Sequence, residues 1–181
     1  MVEEARLEET PSGLAPATEG WFVVNVRDAA WMTRGMFGAA CRFESSEAPF
    51  PELGINLRVL QPGQPAALYH RESNQEDFLV LAGECVLLVE GEERPLRTWD
   101  FVHCPPNAEH IVVGAGDSPC VVLMVGARNE DEVVVYPVSD LARRYGAGVE
   151  EETDSPPEAY APFGAQRGPG RPDDWDLLPW A

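Results

Sequence analysis

His70, Glu72 and Glu76 fall within seven residues of one another, in the stretch LYHRESNQEDFLVLAG from Leu68 to Gly83. Imidazole nitrogen and carboxylate oxygen are the donors that Fe, Mn, Ni, Zn and Co accept, and this mixture does not choose among those metals. Two carboxylates buried side by side repel each other, and desolvation opposes their ionisation. A divalent cation removes that penalty. Two ionised glutamates and two neutral histidines balance a 2+ ion, the second histidine being His110, further along the chain. Taken singly, each residue has a plainer reading: Glu72 and Glu76 as solvated strand residues, His110 as a hydrogen-bonded structural histidine. Only the set points to a divalent metal site.

Such a set needs strands to carry it. Side chains alternate faces along a strand, so Leu68, His70 and Glu72 share one face while Tyr69 and Arg71 share the other. Ser73–Gln75 turns the chain, and Glu76 opens the next strand, across from Glu72 or His70. His110 sits at the head of the later run HIVV and joins them if that strand faces the same interior. Around these positions the sequence predicts short strands separated by turn residues: 21–26, 38–43, 55–60, 67–72, 76–83, 84–91, a hairpin return and strand over 92–106, a strand running into a Gly-rich turn over 107–116, and 118–127. A helical turn is expected near Asp28–Met32, and an edge strand in VVVYPV, whose proline tolerates only an edge or a strand end. Many short strands at this spacing predict an antiparallel sandwich or barrel. SDLARRYG, with an N-cap serine, a first-turn acid, last-turn arginines and a glycine stop, predicts one short helix.

The region resembles the cupin superfamily. That family's first motif runs glycine, five or six residues, histidine, one residue, histidine, three or four residues, glutamate, six residues, glycine. Here it reads Gly63, QPAALY, His70, Arg71, Glu72, SNQ, Glu76, DFLVLA, Gly83, with Glu72 where the family usually has its second histidine. The second motif reads Trp99, DFVHC, Pro105, Pro106, Asn107, Ala108, Glu109, His110. Trp99 and Asn107 replace its two glycines, and Gly114 stands at the family's trailing asparagine; Asn107 is a tolerable substitute where a left-handed backbone is needed. The resemblance covers roughly residues 55–126 and implies an all-β fold, a double-stranded β-helix of jelly-roll type. It implies His70, Glu76 and His110 as metal ligands and carries Glu72 over by position, as a fourth ligand or as a catalytic base beside the metal. It also implies a homodimer and a small-molecule ligand or substrate. Two functions follow as expectations: a metal-dependent enzyme of dioxygenase or isomerase/lyase type, or a non-catalytic module that binds or senses a small ligand in the same cavity.

The rest of the chain sets bounds. With 31 acidic and 13 basic residues among 181, the net charge is −18. That disfavours nucleic acid, whose phosphates need clustered cations, and anionic membrane surfaces. No apolar run reaches the length of a membrane span, and the acidic N-terminus lacks the pattern of a secretory signal, so a cytoplasmic protein is expected. Residues 1–20 read as a flexible acidic arm, 21–140 as the barrel, and 141–181 as a short helix followed by a Pro/Gly-rich arm whose aromatics suit packing over a barrel. Cys41, Cys85, Cys104 and Cys120, well separated, read as buried hydrophobes. Parity points His103 away from the site, and Trp99 and Asp100 are expected to shape a turn. Tyr69, Phe78, Val80, Leu57 and Met124 read as core or lining. Arg58 and Arg71 would meet an anionic substrate if they faced the cavity, but surface ion pairs are the safer reading.

Overall fold

In the computed structural model, which describes residues 1–129, 131–164 and 167–180, the chain is built almost wholly from antiparallel strands. They are β1 Leu7–Thr10, β2 Gly13–Pro16, β3 Ala30–Thr33, β4 Ala39–Arg42, β5 Leu53–Leu60, β6 Arg71–Glu72, β7 Glu76–Ala82, β8 Glu84–Val89, β9 Glu92–Arg97, β10 Phe101–Cys104, β11 His110–Ala115, β12 Cys120–Ala127, β13 Val134–Val135 and β14 Gly168–Pro169. Two short helices follow β13: α1 Asp140–Arg144 and α2 Pro156–Tyr160. A seven-stranded sheet runs β10-β7-β12-β5-β4-β3-β14, and a three-stranded sheet runs β11-β8-β9. The small sheet covers the inner face of the large one, giving the all-β double-stranded β-helix expected from the motifs.

Alternation decides what lies between the sheets. Phe78 and Val80 of β7, Val122 of β12 and Leu60 of β5 pack inward against Leu87 and Leu88 of β8 and Ile111–Val113 of β11. The opposite parity, Leu57 and Val59 of β5 with Val121, faces outward around Trp31. Leu178, Trp175 and Trp180 from the end of the chain cover that outer face, with both tryptophan rings about 5.5 Å from Trp31. The centre of the seven-stranded sheet, where β4, β5 and β12 adjoin, is therefore covered on both faces, which explains the apolar residues on both parities of β4 and β12.

Several local expectations are corrected. Within residues 1–20, β1 and β2 form a hairpin, with Leu14 N–H donating to the Asp28 carbonyl and Ala5 N–H to that of Trp21. The hairpin docks closely because Gly13, at φ +125°, has no Cβ to strike the Ala29 carbonyl. Residues 21–26 do not form a strand; only Trp21 makes a bridge, to Glu4. Asn25 interrupts the run, its side-chain oxygen accepting from Arg27 N–H and its carbonyl from Asp28 and Ala29 N–H. The helical turn falls later than expected, at Gly35–Phe37, while Ala30–Met32 lies in β3. Between Ala66 and His70 the ladder is broken, because other parts of the chain take its groups: Leu68 N–H donates to the Tyr160 hydroxyl and Tyr69 N–H to the Ala147 carbonyl. The helix in SDLARRYG forms at Asp140–Arg144, with the Ser139 side chain accepting from Ala142 N–H.

Candidate metal centre

The site is assembled where His70, just ahead of β6, bridges the first residue of β11, His110, beside the start of β7. His70 and His110 form an isolated antiparallel bridge: His70 N–H donates to the His110 carbonyl at 3.2 Å, and His110 N–H to that of His70 at 2.8 Å. This backbone clasp sets the imidazoles side by side, ring centroids 5.0 Å apart. Each ring is also oriented by its own strand. Nδ1 of His70 lies 2.7 Å from the Leu68 carbonyl, and Nδ1 of His110 2.9 Å from that of Ala108. Those carbonyls can only accept, so each Nδ1 carries the proton and each Nε2 points into the site. The ring of Phe78 packs against His110 at 5.3 Å.

Glu76, the first residue of β7, faces both Nε2 atoms. Its Oε2 lies 2.9 Å from His110 Nε2 and 3.5 Å from His70 Nε2. Gly126 of β12 stands opposite Glu76 in the register and presents no side chain to crowd it. The three donor atoms all lie within 4.8 Å of one another. Two donors sharing an ion at about 2.0–2.2 Å fall within such a span, so the geometry of His70, Glu76 and His110 fits a divalent metal. Glu72 stands at the flank, its Oε1 3.3 Å from His70 Nε2, outside that common group.

Burial disfavours the His70 imidazolium, but Glu72 and Glu76 outweigh it and hold its pKa up to about 10. At His110 burial again opposes the charge, while Cys104 and Glu76 raise the pKa to about 9. Burial pushes the Glu76 carboxyl up, and the two histidines overcome this and hold it below the usual carboxylate range. Glu132 is pushed up by burial and by the charges of Glu72 and Glu76. These shifts describe a set of anionic and basic donors held together against their preference for water.

A cavity of about 190 Å³ opens from these residues into the barrel. Phe78, Met124 and Val112 give it apolar walls, and Tyr136 and Tyr160 stand at its side. Arg34, Asn56 and Arg58 also line it. The expectation of a surface ion pair for Arg58 is therefore corrected. On β5 it is paired with Val122 and Ala40, both buried, and shares the inward parity of Asn56 and Leu60. Burial, with the charge of Arg34 beside it, lowers its pKa to about 9. Arg71 does make the ion pairs expected of it, 3.3 Å from Glu109 and 3.9 Å from Glu152. His103 is exposed, its Nδ1 2.7 Å from Asp77 and away from the donor set. All four cysteines are buried and free.

Arg34, Tyr136 and Tyr160 were not singled out as cavity residues in the sequence. Tyr160 comes from the C-terminal segment, which no local pattern ties to the barrel. For Arg58 a signal existed: a charge between Leu57 and Val59 in a strand buried on both faces. INLRVL alternates, with Ile55, Leu57 and Val59 on one face and Asn56, Arg58 and Leu60 on the other; the polar parity reads as the solvent face, whereas in this sheet it is the face turned to the cavity.

Comparison with known proteins agrees with this architecture. The family model described as a cupin domain matches residues 56–126. A gentisate 1,2-dioxygenase of Aquipseudomonas alcaligenes is 27% identical over 117 residues, 65% of this chain and 33% of that protein, so the chain spans about a third of the relative's length. A sugar phosphate isomerase of the cupin superfamily from Silicibacter pomeroyi is 26% identical, with a TM-score of 0.48 over 65% of this chain and 73% of that one. A predicted oxalate decarboxylase of Thermotoga maritima aligns with a TM-score of 0.52 at 19% identity, over 60% of this chain and 100% of that one. Among the described residues no helix is long and apolar enough to cross a membrane.

Proposed function

Because residues 56–126 are a cupin domain, we propose that the chain is a metal-dependent enzyme, of dioxygenase or isomerase/lyase type, acting on a small molecule inside its barrel. The observation that carries the reading is the orientation of the two histidines. Backbone carbonyls hold both Nδ1 atoms, and both Nε2 atoms converge on the Glu76 carboxylate within the 4.8 Å donor set. A structural histidine needs one hydrogen bond; two histidines aimed at one buried carboxylate make a ligand set. His70, Glu76 and His110 would hold the ion, which supplies Lewis acidity and, if it is a redox metal, reactivity toward dioxygen.

The chain's own residues do the rest. The apolar walls of Phe78, Met124 and Val112 exclude water, which strengthens every charge interaction inside. Glu72, beside His70, is placed to take or return a proton at a substrate atom on that side of the site, the role of a general base. The dioxygenase and isomerase readings share this arrangement and differ in the metal each requires. Similarity to a gentisate dioxygenase and to a sugar phosphate isomerase supports both classes. A homodimer, a small-molecule ligand and a cytoplasmic setting remain expectations of the same reading.

Metal analysis of the purified protein and its variants tests it. The expected result is one divalent ion per chain, lost in Glu76→Ala and His110→Ala and retained in Glu72→Gln. A wild-type protein that takes up no ion when offered iron, manganese, nickel, zinc or cobalt would contradict an enzyme and leave a ligand-binding module.

A further inference from the structure

We infer that the small molecule taken by this cavity carries an oxyanion, a carboxylate or a phosphate, which Arg58 and Arg34 hold at the end away from the donor set. The inference rests on the metal reading above for its charge balance, and on an independent observation for its geometry. Nε and Nη1 of Arg58 and Nε of Arg34 are buried with no hydrogen-bond partner among the described residues. Arg34 reaches one backbone carbonyl, that of Ala66, at 3.4 Å. A buried guanidinium left unpaired is costly, because its donors have given up water for nothing. Arg58 is in that position, and the charge of Arg34 beside it adds to the cost; Arg34 keeps the Ala66 carbonyl and the Tyr160 hydroxyl and, among the described residues, lacks a partner only at Nε.

The placement is hard to explain structurally. All 13 basic residues are arginine, and 31 acids are available to pair with them. Arg71, Arg128 and Arg143 do pair with carboxylates. Arg58 and Arg34 instead line the same cavity as His70, Glu76 and His110. With an ion bound, the Glu72 and Glu76 carboxylates offset its two charges, and the two guanidinium charges remain. A carboxylate offsets one of them and a phosphate dianion both, and the oxygens of either match the forked donors. The hydroxyl of Tyr160 stands against Arg34 and adds a polar edge. A cavity of about 190 Å³ lies below the roughly 300–1,000 Å³ of drug-sized sites, so the substrate is small. Bound this way, its anionic end is fixed and its other end faces the donor set.

Benzoate, phenyl phosphate and neutral benzamide test this on metal-loaded protein. Benzoate or phenyl phosphate is expected to bind and to raise the melting temperature, and benzamide to do neither. The stronger of the two anions assigns carboxylate or phosphate. Arg58→Leu should weaken anion binding at least tenfold while metal content stays at one per chain, and Arg58→Lys should recover part of it. Ligand-free Arg58→Leu should melt no lower than wild type, because the substitution removes an unpaired buried charge; an arginine with a structural role would lower it. Equal affinity for benzoate and benzamide, no binding of either anion, or anion binding unchanged in Arg58→Leu would overturn the inference. A wild type without metal that still binds the anions through Arg58 would refute the metal reading alone.

Discussion

The donor residues were legible in the sequence because their spacing is local: His70, Glu72 and Glu76 are separated only by a turn, and strand parity puts them near one face. What the sequence does not disclose is which ring nitrogen points inward, since that depends on the Leu68 and Ala108 carbonyls, nor that Glu72 stands beside the set and not within it. Nor could it place Arg58, because a strand face carrying Asn56 and Arg58 reads as the solvent face and here lines the cavity. The titration of the histidines has a direct consequence. Their pKa values, about 10 and about 9, lie above neutrality, so the metal-free site holds protons that an ion must displace. Metal uptake at pH 7 should release about two protons per chain, and affinity should fall as pH falls. Calorimetry in buffers of different ionisation enthalpy measures this, and uptake without proton release would contradict it. The sign for stability is the reverse. Raised histidine pKa values stabilise the metal-free fold fully below 6.5, and that contribution is lost as pH rises through about 9 to 10. The lowered Glu76 contributes above 4.5 and is lost as pH falls through its folded value. The metal-free melting temperature should therefore decline from pH 7 to pH 10, and a rise over that interval would refute the ion pairing.

Among the elements, the strands that flank the motifs were legible because turn residues bracket them. Those that failed did so because other groups captured their backbone: Asn25 does so locally in 21–26, and in 67–72, which reads as a strand, Tyr160 and Ala147 take the N–H groups of Leu68 and Tyr69. The two motif glycines that this chain replaces bear on stability. Trp99 and Asn107 adopt φ of 76° and 69°, the left-handed region where a side chain other than glycine is strained. Trp99 is 71% exposed, so its ring gains little from burial. Trp99→Gly should stabilise the protein by about 1 kcal/mol, and Asn107→Gly by less, because asparagine tolerates this conformation. Urea unfolding checks both, and a loss of stability in Trp99→Gly would show that the indole has a packing role. Gly114 is the opposite case. A Cβ there would strike the Gln61 carbonyl, and Gly114 bonds through its own backbone to Gly63 and Gln64. Gly114→Ala should cost about 1–3 kcal/mol as overpacking against backbone, seen in the same titration.

At the scale of the whole molecule, the charge imbalance and the strand rhythm indicated a β-rich, acidic protein, but not how the ends of the chain are used. The N-terminal hairpin and the C-terminal tryptophans hold no local pattern that names their partner; the hairpin bonds to the backbone of Asp28 and Trp31, and the tryptophans pack on the outer face of the seven-stranded sheet. Trp31, fully buried beneath Trp175 and Trp180, is the centre of that face. Trp31→Ala should cost about 3–5 kcal/mol while leaving metal content unchanged, because the donor set lies on the opposite face; denaturant unfolding with metal analysis checks both halves. The two faces thus divide the work, one packing the C-terminal tryptophans and the other forming the cavity with the small sheet. The central claim is that His70 just ahead of β6, Glu76 of β7 and His110 of β11 meet at one ion, and anomalous diffraction from metal-soaked crystals tests it most directly. A peak is expected about 2.0–2.2 Å from Nε2 of His70, Nε2 of His110 and a Glu76 oxygen. Ordered density for those three side chains with no anomalous peak among them, or a peak bound elsewhere, would contradict it.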